Sequence, residues 1–209
     1  MRVGAVVLAA GGSTRFGKPK QFALFEGETF VRRIVRAAIQ AGCAPVVVVT
    51  GEDSAQITSE LTRFTVTIAM NPGWSSGVGS SIHVGVQRAM DLVADLEASL
   101  LLSCDQPFVT AAVLAQLIQL RLTSGKPIVA SAYATTLGIP ALLDRSCFPD
   151  LLRLKEDSGA KKIILARPYD VMSFDFPAGQ IDIDTAADYE KLDQPLPETA
   201  RDRASGPFR

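Results

Sequence analysis

The chain has 209 residues, 47% of them hydrophobic and 21% charged. That balance excludes a disordered chain and suits one domain with a substantial core. Lys and Arg nearly cancel Asp and Glu, for a formal net charge of −1, so no electrostatic footprint for nucleic acid is present. No apolar run approaches the roughly 18 residues of a membrane span. Cys43, Cys104 and Cys147 are scattered and lack Cys-x-x-Cys spacing, which argues against a disulfide framework and against zinc. A reducing, cytoplasmic location is the expectation. The first strand pattern opens at the N-terminus and leaves no room for a signal peptide.

Val3 to Leu8 is almost purely apolar, as in a strand buried on both faces of a parallel sheet. It runs into Leu8-Ala9-Ala10-Gly11-Gly12-Ser13-Thr14-Arg15-Phe16-Gly17-Lys18-Pro19-Lys20. Glycines let a backbone turn sharply and bring its N–H groups close to an anion. Arg15, Lys18 and Lys20 supply the counter-charge. The simplest reading is a loop that cradles phosphates at the carboxyl end of the first strand. Two common phosphate loops do not fit. Gly12 to Lys18 match a Walker A loop, but Pro19 stands where its hydroxyl residue belongs. The Gly-x-Gly-x-x-Gly of a dinucleotide loop is absent.

Thr29 to Ala41 has helical spacing and Gly42 closes it. Val46 to Val49 reads as a second strand, Asp53 to Leu61 as a short helix and Thr65 to Ala69 as a third strand. Alternating strands and helices predict an α/β chain, a three-layer α/β/α Rossmann-like sheet, mostly parallel. The segment Asn71-Pro72-Gly73-Trp74-Ser75-Ser76-Gly77-Val78-Gly79-Ser80-Ser81 is rich in glycine and hydroxyl residues, a loop built for close ligand approach. A helix is predicted from about Ser80 to Leu96. Ser80 and Ser81 also suit a helix cap, and Trp74 suits loop packing.

Leu100 to Ser103 is a buried strand that ends in Cys104-Asp105-Gln106-Pro107. An Asp at the carboxyl end of a central strand, opposite a phosphate loop, is placed to hold Mg²⁺. A helix cap is the competing role for Asp105, although Thr110 can cap the helix predicted over Thr110 to Leu122. Pro127 to Ala132 gives another strand. From Tyr133 the alternation weakens, through Gly138-Ile139-Pro140 and Asp157-Ser158-Gly159. A last strand, Met172 to Phe176, leads to Asp182, Asp184 and a short helix over Thr185 to Leu192. Asp184 at that helix start is favourable by about 0.3–1 kcal/mol in its own right. Residues 1–192 read as one domain, and 193–209 as a mobile tail.

The pattern Leu-Ala-Ala-Gly-x-x-x-Arg-x-Gly-x-x-Lys, with Asn-Pro-x-Trp-x-x-Gly-x-x-Ser-Ser and Asp-x-Pro, resembles the MobA/MocA-like nucleotidyltransferase family. Within it the resemblance is strongest to the molybdenum cofactor (molybdopterin) cytidylyltransferases. The resemblance implies a nucleotide-diphospho-sugar transferase type of fold. It implies transfer of CMP from CTP to a phosphorylated pterin, with Mg²⁺ as cofactor and Mn²⁺ as the alternative, and a molybdoenzyme as a further partner. Carried over by residue, Arg15 and Lys20 are catalytic. Leu8, Ala9, Ala10, Gly11, Gly12, Asn71, Gly79, Ser80 and Ser81 bind the nucleotide. Asp105 and Asp184 bind the metal, with Asp182 as the runner-up to Asp184. Gly138, Pro140, Asp157 and Gly159 face the acceptor. Ile139 and Glu156 depart from the family's Gly-His-Pro and Gly-Asp-x-Gly-Ala patterns, which bears on acceptor identity. The competing expectations are GTP or another phosphorylated acceptor, a non-catalytic carrier of molybdenum cofactor, and a nicotinamide-dependent oxidoreductase. His83, the only histidine, falls in a helix and not in a candidate loop, so hydrolase chemistry is disfavoured.

Overall fold

A computed structural model describes residues 1–11, 16, 19–181, 183, 185–190 and 192. Gly12, Arg15, Lys18, Asp182, Asp184 and the segment 193–209, all singled out above, lie outside the described residues. The elements in chain order are β1 (Val3–Ala9), the hairpin β2 (Leu24–Phe25) and β3 (Glu28–Thr29), α1 (Phe30–Gln40), β4 (Val46–Thr50), α2 (Ser54–Glu60) and β5 (Thr67–Met70). There follow α3 (Val78–Leu92), β6 (Ala98–Ser103), α4 (Ala111–Ser124), β7 (Ile128–Tyr133) and β8 (Thr136–Asp144). The described chain ends with α5 (Phe148–Leu152), α6 (Ala160–Ala166), β9 (Val171–Asp175) and α7 (Ala186–Glu190).

Seven strands form one sheet in the order β5-β4-β1-β6-β8-β7-β9. β1 pairs in parallel with both β4 and β6, so its apolar run is buried on both faces as the pattern requires. Alternate residues of one strand then serve opposite cores. Ala5 and Val7 pack with Val31, Ile34 and Val35 of α1, Ile57 of α2 and Leu114 and Leu117 of α4. Val6 packs instead with Ile82, Val86 and Ala89 of α3, Phe148 of α5 and Ile163 of α6. The result is the expected three-layer, mostly parallel α/β/α arrangement.

β8, α3, α5 and α6 differ from the pattern reading. β8 lies antiparallel between β6 and β7, where the sequence shows only weakened alternation. Gly138 and Pro140 sit inside it, residues that argue against a central strand. The ladder accommodates them by a register shift after Ala130, and the Pro140 carbonyl accepts a hydrogen bond from Ser131 Oγ at 2.7 Å. α3 starts at Val78 rather than Ser80 because Gly77, at φ +137°, turns the chain straight into the helix. It also ends earlier, at Leu92, since Val93 is already extended. α5 and α6 are five and seven residues long, too short to leave a periodic signal.

Gly85 fixes how close α3 lies to the sheet. A Cβ there would run into Val6 Cγ1 and come within 2.8 Å of Val49 Cγ2. Gly85→Ala is expected to cost about 1–3 kcal/mol of stability, measured by urea unfolding. An unchanged midpoint would show that α3 is not held against the sheet in this way.

Candidate active site

The parallel register of β1 and β6 sets Leu8 opposite Ser103, so both strands end on the same edge of the sheet. A cavity of about 320 Å³ opens there. Leu8, Ala10 and Gly11 line it from the end of β1, and Lys20 and Gln21 from the following turn. Trp74, Ser75, Gly77, Val78 and Ser81 line it from the loop and first turn of α3. Ser103, Cys104 and Asp105 complete it from the end of β6, with Ile139 from β8.

At its floor Lys20 Nζ lies 2.6 Å from Asp105 Oδ2. Both side chains are largely buried, at 13% and 16% exposure, where an ion pair is screened weakly. The other carboxylate oxygen, Oδ1, accepts a hydrogen bond from Ser103 Oγ. Gln21 is buried beside Lys20, and its Nε2 donates to the carbonyls of Ala9 and Gly11, each at 3.1 Å. One side chain thus fixes both the start of the glycine-rich loop and the turn that carries Lys20. Behind Asp105, Gln106 Nε2 donates to the carbonyls of Ile139 at 3.1 Å and Gly179 at 2.9 Å. The Ile183 amide donates to the Asp105 carbonyl at 3.1 Å. Ile183, next to the predicted Asp182 and Asp184, is fully buried with Phe16 and Phe30.

Of the residues expected at the site, Leu8, Ala10, Gly11, Lys20, Ser81 and Asp105 line the cavity. Others stand behind it. Ala9 points into the sheet core. Asn71 is buried, and its Nδ2 donates to Ser80 Oγ at 2.9 Å and Ser81 Oγ at 3.0 Å. Its Oδ1 accepts from the Gly73 amide at 3.0 Å. Ser80 Oγ also donates to the Gly77 carbonyl at 2.7 Å, and no side chain caps the start of α3. The Gly79 amide donates to the Glu156 carbonyl at 2.8 Å. A Cβ at Gly79 would run into the Lys155 carbonyl, and one at Gly77 into the Glu156 carbonyl. The 155–158 segment is therefore seated on the first turn of α3. Asp157 is exposed, and Gly159 lies near Val78. Gly138 and Pro140 are buried within β8, and it is Ile139 between them that faces the cavity.

Gln21, Ser103, Cys104 and Ile139, with Trp74, Ser75, Gly77 and Val78 of the glycine-rich loop before α3, are the cavity residues that pattern reading did not assign. The first four are single residues of types that carry no spacing signal, and their position next to Lys20, Asp105 and Gly138 is the only clue. Trp74 packs onto Gly51, where a Cβ would meet Trp74 Cγ at 2.8 Å and the Ala10 carbonyl at 2.9 Å. His83 Nδ1 lies 2.9 Å from the Leu152 carbonyl on the exposed side of α3. Thr110 takes the cap of α4, its hydroxyl accepting from the Val113 amide at 3.3 Å, which leaves Asp105 out of that role.

For a divalent cation the donor set is sparse but suitable. Among the described lining residues Asp105 is the sole carboxylate, and no cluster of three or more His, Cys, Asp or Glu is found among the described residues. Mg²⁺ is commonly held by one or two carboxylates together with substrate phosphates. One carboxylate lining the cavity fits that chemistry.

A family model for the MobA-like NTP transferase domain matches residues 5–171. The chain belongs to the MobA-like NTP transferase family. It is thus a nucleotidyltransferase by family. A curated relative, nicotine blue oxidoreductase of Paenarthrobacter nicotinovorans, is 27% identical over 204 residues, covering 91% of this chain and 96% of the relative. The crystal structure of Rv0371c from Mycobacterium tuberculosis H37Rv is similar at a TM-score of 0.77 and 26% identity, over 94% of this chain and 100% of that one. The manganese complex of Rv0371c is similar at a TM-score of 0.74 and 25% identity, with the same coverage. A nucleotidyl transferase from Methanothermobacter thermautotroptrophicus shares the fold at a TM-score of 0.76 and 21% identity, over 91% of this chain and 95% of that one. The fold is that of the nucleotide-diphospho-sugar transferases.

Burial pushes the Cys104 thiol up from 9.0 to about 12, with Asp105 adding to the rise and Lys20 opposing it. Burial alone does the same to Cys43. Both thiols are neutral near pH 7, so Cys104 presents an unionised wall to the cavity. Between pH 9 and 12 the folded chain keeps protons that the unfolded chain releases, so stability falls as pH rises. The expected loss from pH 8 to pH 10 is roughly 1 kcal/mol per thiol. Urea unfolding at the two pH values measures it, and a Cys43→Ser/Cys104→Ser variant should lose most of that slope.

Proposed function

We propose that the chain transfers CMP from CTP to the phosphate of a molybdopterin-type acceptor, with Mg²⁺ bound, and releases pyrophosphate. The observation that carries this reading is the Lys20–Asp105 pair, 2.6 Å apart at the floor of the cavity beside the glycine-rich turn. Nucleotidyl transfer needs the triphosphate charge neutralised, the attacking oxygen aligned with the α-phosphorus and the leaving pyrophosphate stabilised. In this proposal Gly11, Gly12 and Arg15 bind the triphosphate, and Lys20 binds the charge that builds up and departs. Asp105 and Asp184 would hold Mg²⁺, which when bound neutralises phosphate charge. Ser103 and Gln21 keep Asp105 and Lys20 in position. Ser81 lines the base side directly, while Asn71, Gly79 and Ser80 shape that wall from behind. Gly138, Pro140, Asp157 and Gly159 flank the acceptor side, with Ile139 as the surface it meets. A phosphate monoester acceptor is ionised near neutral pH, its second pKa being about 6. No general base is then required, in keeping with His83 facing away from the cavity. The cytidylyltransferase branch rests on the Leu-Ala-Ala-Gly and Ser80-Ser81 motifs.

A second reading, oxidation or reduction with a nicotinamide cofactor, is favoured by the oxidoreductase relative. The missing Gly-x-Gly-x-x-Gly weighs against it.

Thermal unfolding with CTP, GTP, ATP and NADH, each with and without Mg²⁺, separates these readings. A ligand at about 100 times its Kd adds roughly 2.7 kcal/mol, on the order of 5–10 °C for a chain of this size. A Mg²⁺-dependent shift with CTP alone is expected. A shift with GTP alone would move the chain to the guanylyl branch, and a shift with NADH alone would replace the transferase reading. Pyrophosphate release by Asp105→Asn should fall on the order of 100-fold, whereas unchanged release would remove Asp105 from the reaction.

A further inference from the structure

A second concavity, about 380 Å³, opens between α5, the turn that follows it and α6. It shares no lining residue with the cavity at Asp105. Four cations line it, Arg153, Lys155, Lys162 and Arg167, against one carboxylate, Asp150. That carboxylate is already paired with Arg167 Nη2 at 3.1 Å. Arg153, Lys155 and Lys162 are exposed and form no ion pair among the described residues. Leu154, Ile163 and Ala166 give the groove an apolar floor.

Like charges gathered around one concavity repel; Asp150 offsets Arg167, and an anion seated there would offset the other three. Guanidinium and ammonium groups on a common rim suit phosphate oxygens, which they bind by charge-assisted hydrogen bonds. The apolar floor suits the organic part of such a ligand, and the volume lies at the small end of ligand sites. We infer that this groove is an accessory binding site for a phosphate-bearing small molecule, separate from the nucleotide cavity. Lys155 connects the two places. It lines the groove, and its carbonyl is seated against Gly79 in the first turn of α3. The inference does not depend on which nucleotide or acceptor the first cavity takes.

Calorimetric titration of the full chain with inorganic tripolyphosphate, without metal and at low salt, tests it. Wild type, Lys20→Ala and Arg153→Ala/Lys162→Ala are compared. Binding should persist in Lys20→Ala, weaken at least tenfold in the double variant and fall with added salt. Binding lost in Lys20→Ala but kept in the double variant would overturn the proposal, as would no binding at all. Acetylation footprinting of wild type gives a check that needs no variant. Tripolyphosphate should protect Lys155 and Lys162, and unchanged labelling of both would equally overturn the site.

Discussion

The parallel pairing of β1 with β6 is the constraint on which the site depends. Leu8 stands opposite Ser103, so the glycine-rich turn and the Asp105 turn leave the sheet at one edge. Only then can Lys20 reach Asp105 to within 2.6 Å. An antiparallel pairing would send the two turns to opposite edges and separate the charges by the length of a strand. Ser103 and Gln21 hold the pair in place. Gln21 in particular ties two loop carbonyls to the turn that carries Lys20.

Around this pair the wall is set by close backbone approach. Gly77 and Gly79 let the Lys155 and Glu156 carbonyls settle on the first turn of α3, and Gly51 admits Trp74 beside the Ala10 carbonyl. Glycines and hydroxyl residues that read in sequence as ligand contacts are spent largely on building that wall. The C-terminal segment is drawn to the same edge by packing, since Ile183 is buried with Phe16 and Phe30 and Tyr189 meets Phe16 edge-on at 5.8 Å.

The features written as local pattern were legible without coordinates. The apolar run of β1 requires burial on both faces, and the alternation of strands and helices requires a layered, mostly parallel sheet. Glycine and charge clustered at the end of β1 single out Gly11 and Lys20, and the end of β6 singles out Asp105; all three line the cavity. These properties follow from side-chain character and spacing within a few residues, which the linear chain preserves.

What the chain could not disclose depends on partners distant in sequence. Gly138 and Pro140 hide β8 because they normally exclude a central strand, and only the register shift in its ladder with β7 makes room for them. Asn71 and Gly79 look available to a ligand until Ser80, Ser81 and Glu156 are seen to occupy their polar groups. Gln21 and Ile139 become cavity residues only through contacts across the sheet edge. The cations of α6 and of the turn after α5 likewise meet around one groove only when those segments pack. Sequence determined the layers and singled out Gly11, Lys20 and Asp105, which line the main cavity. Tertiary packing decided which groups face the cavity, because burial and hydrogen-bond occupancy are properties of neighbours and not of spacing.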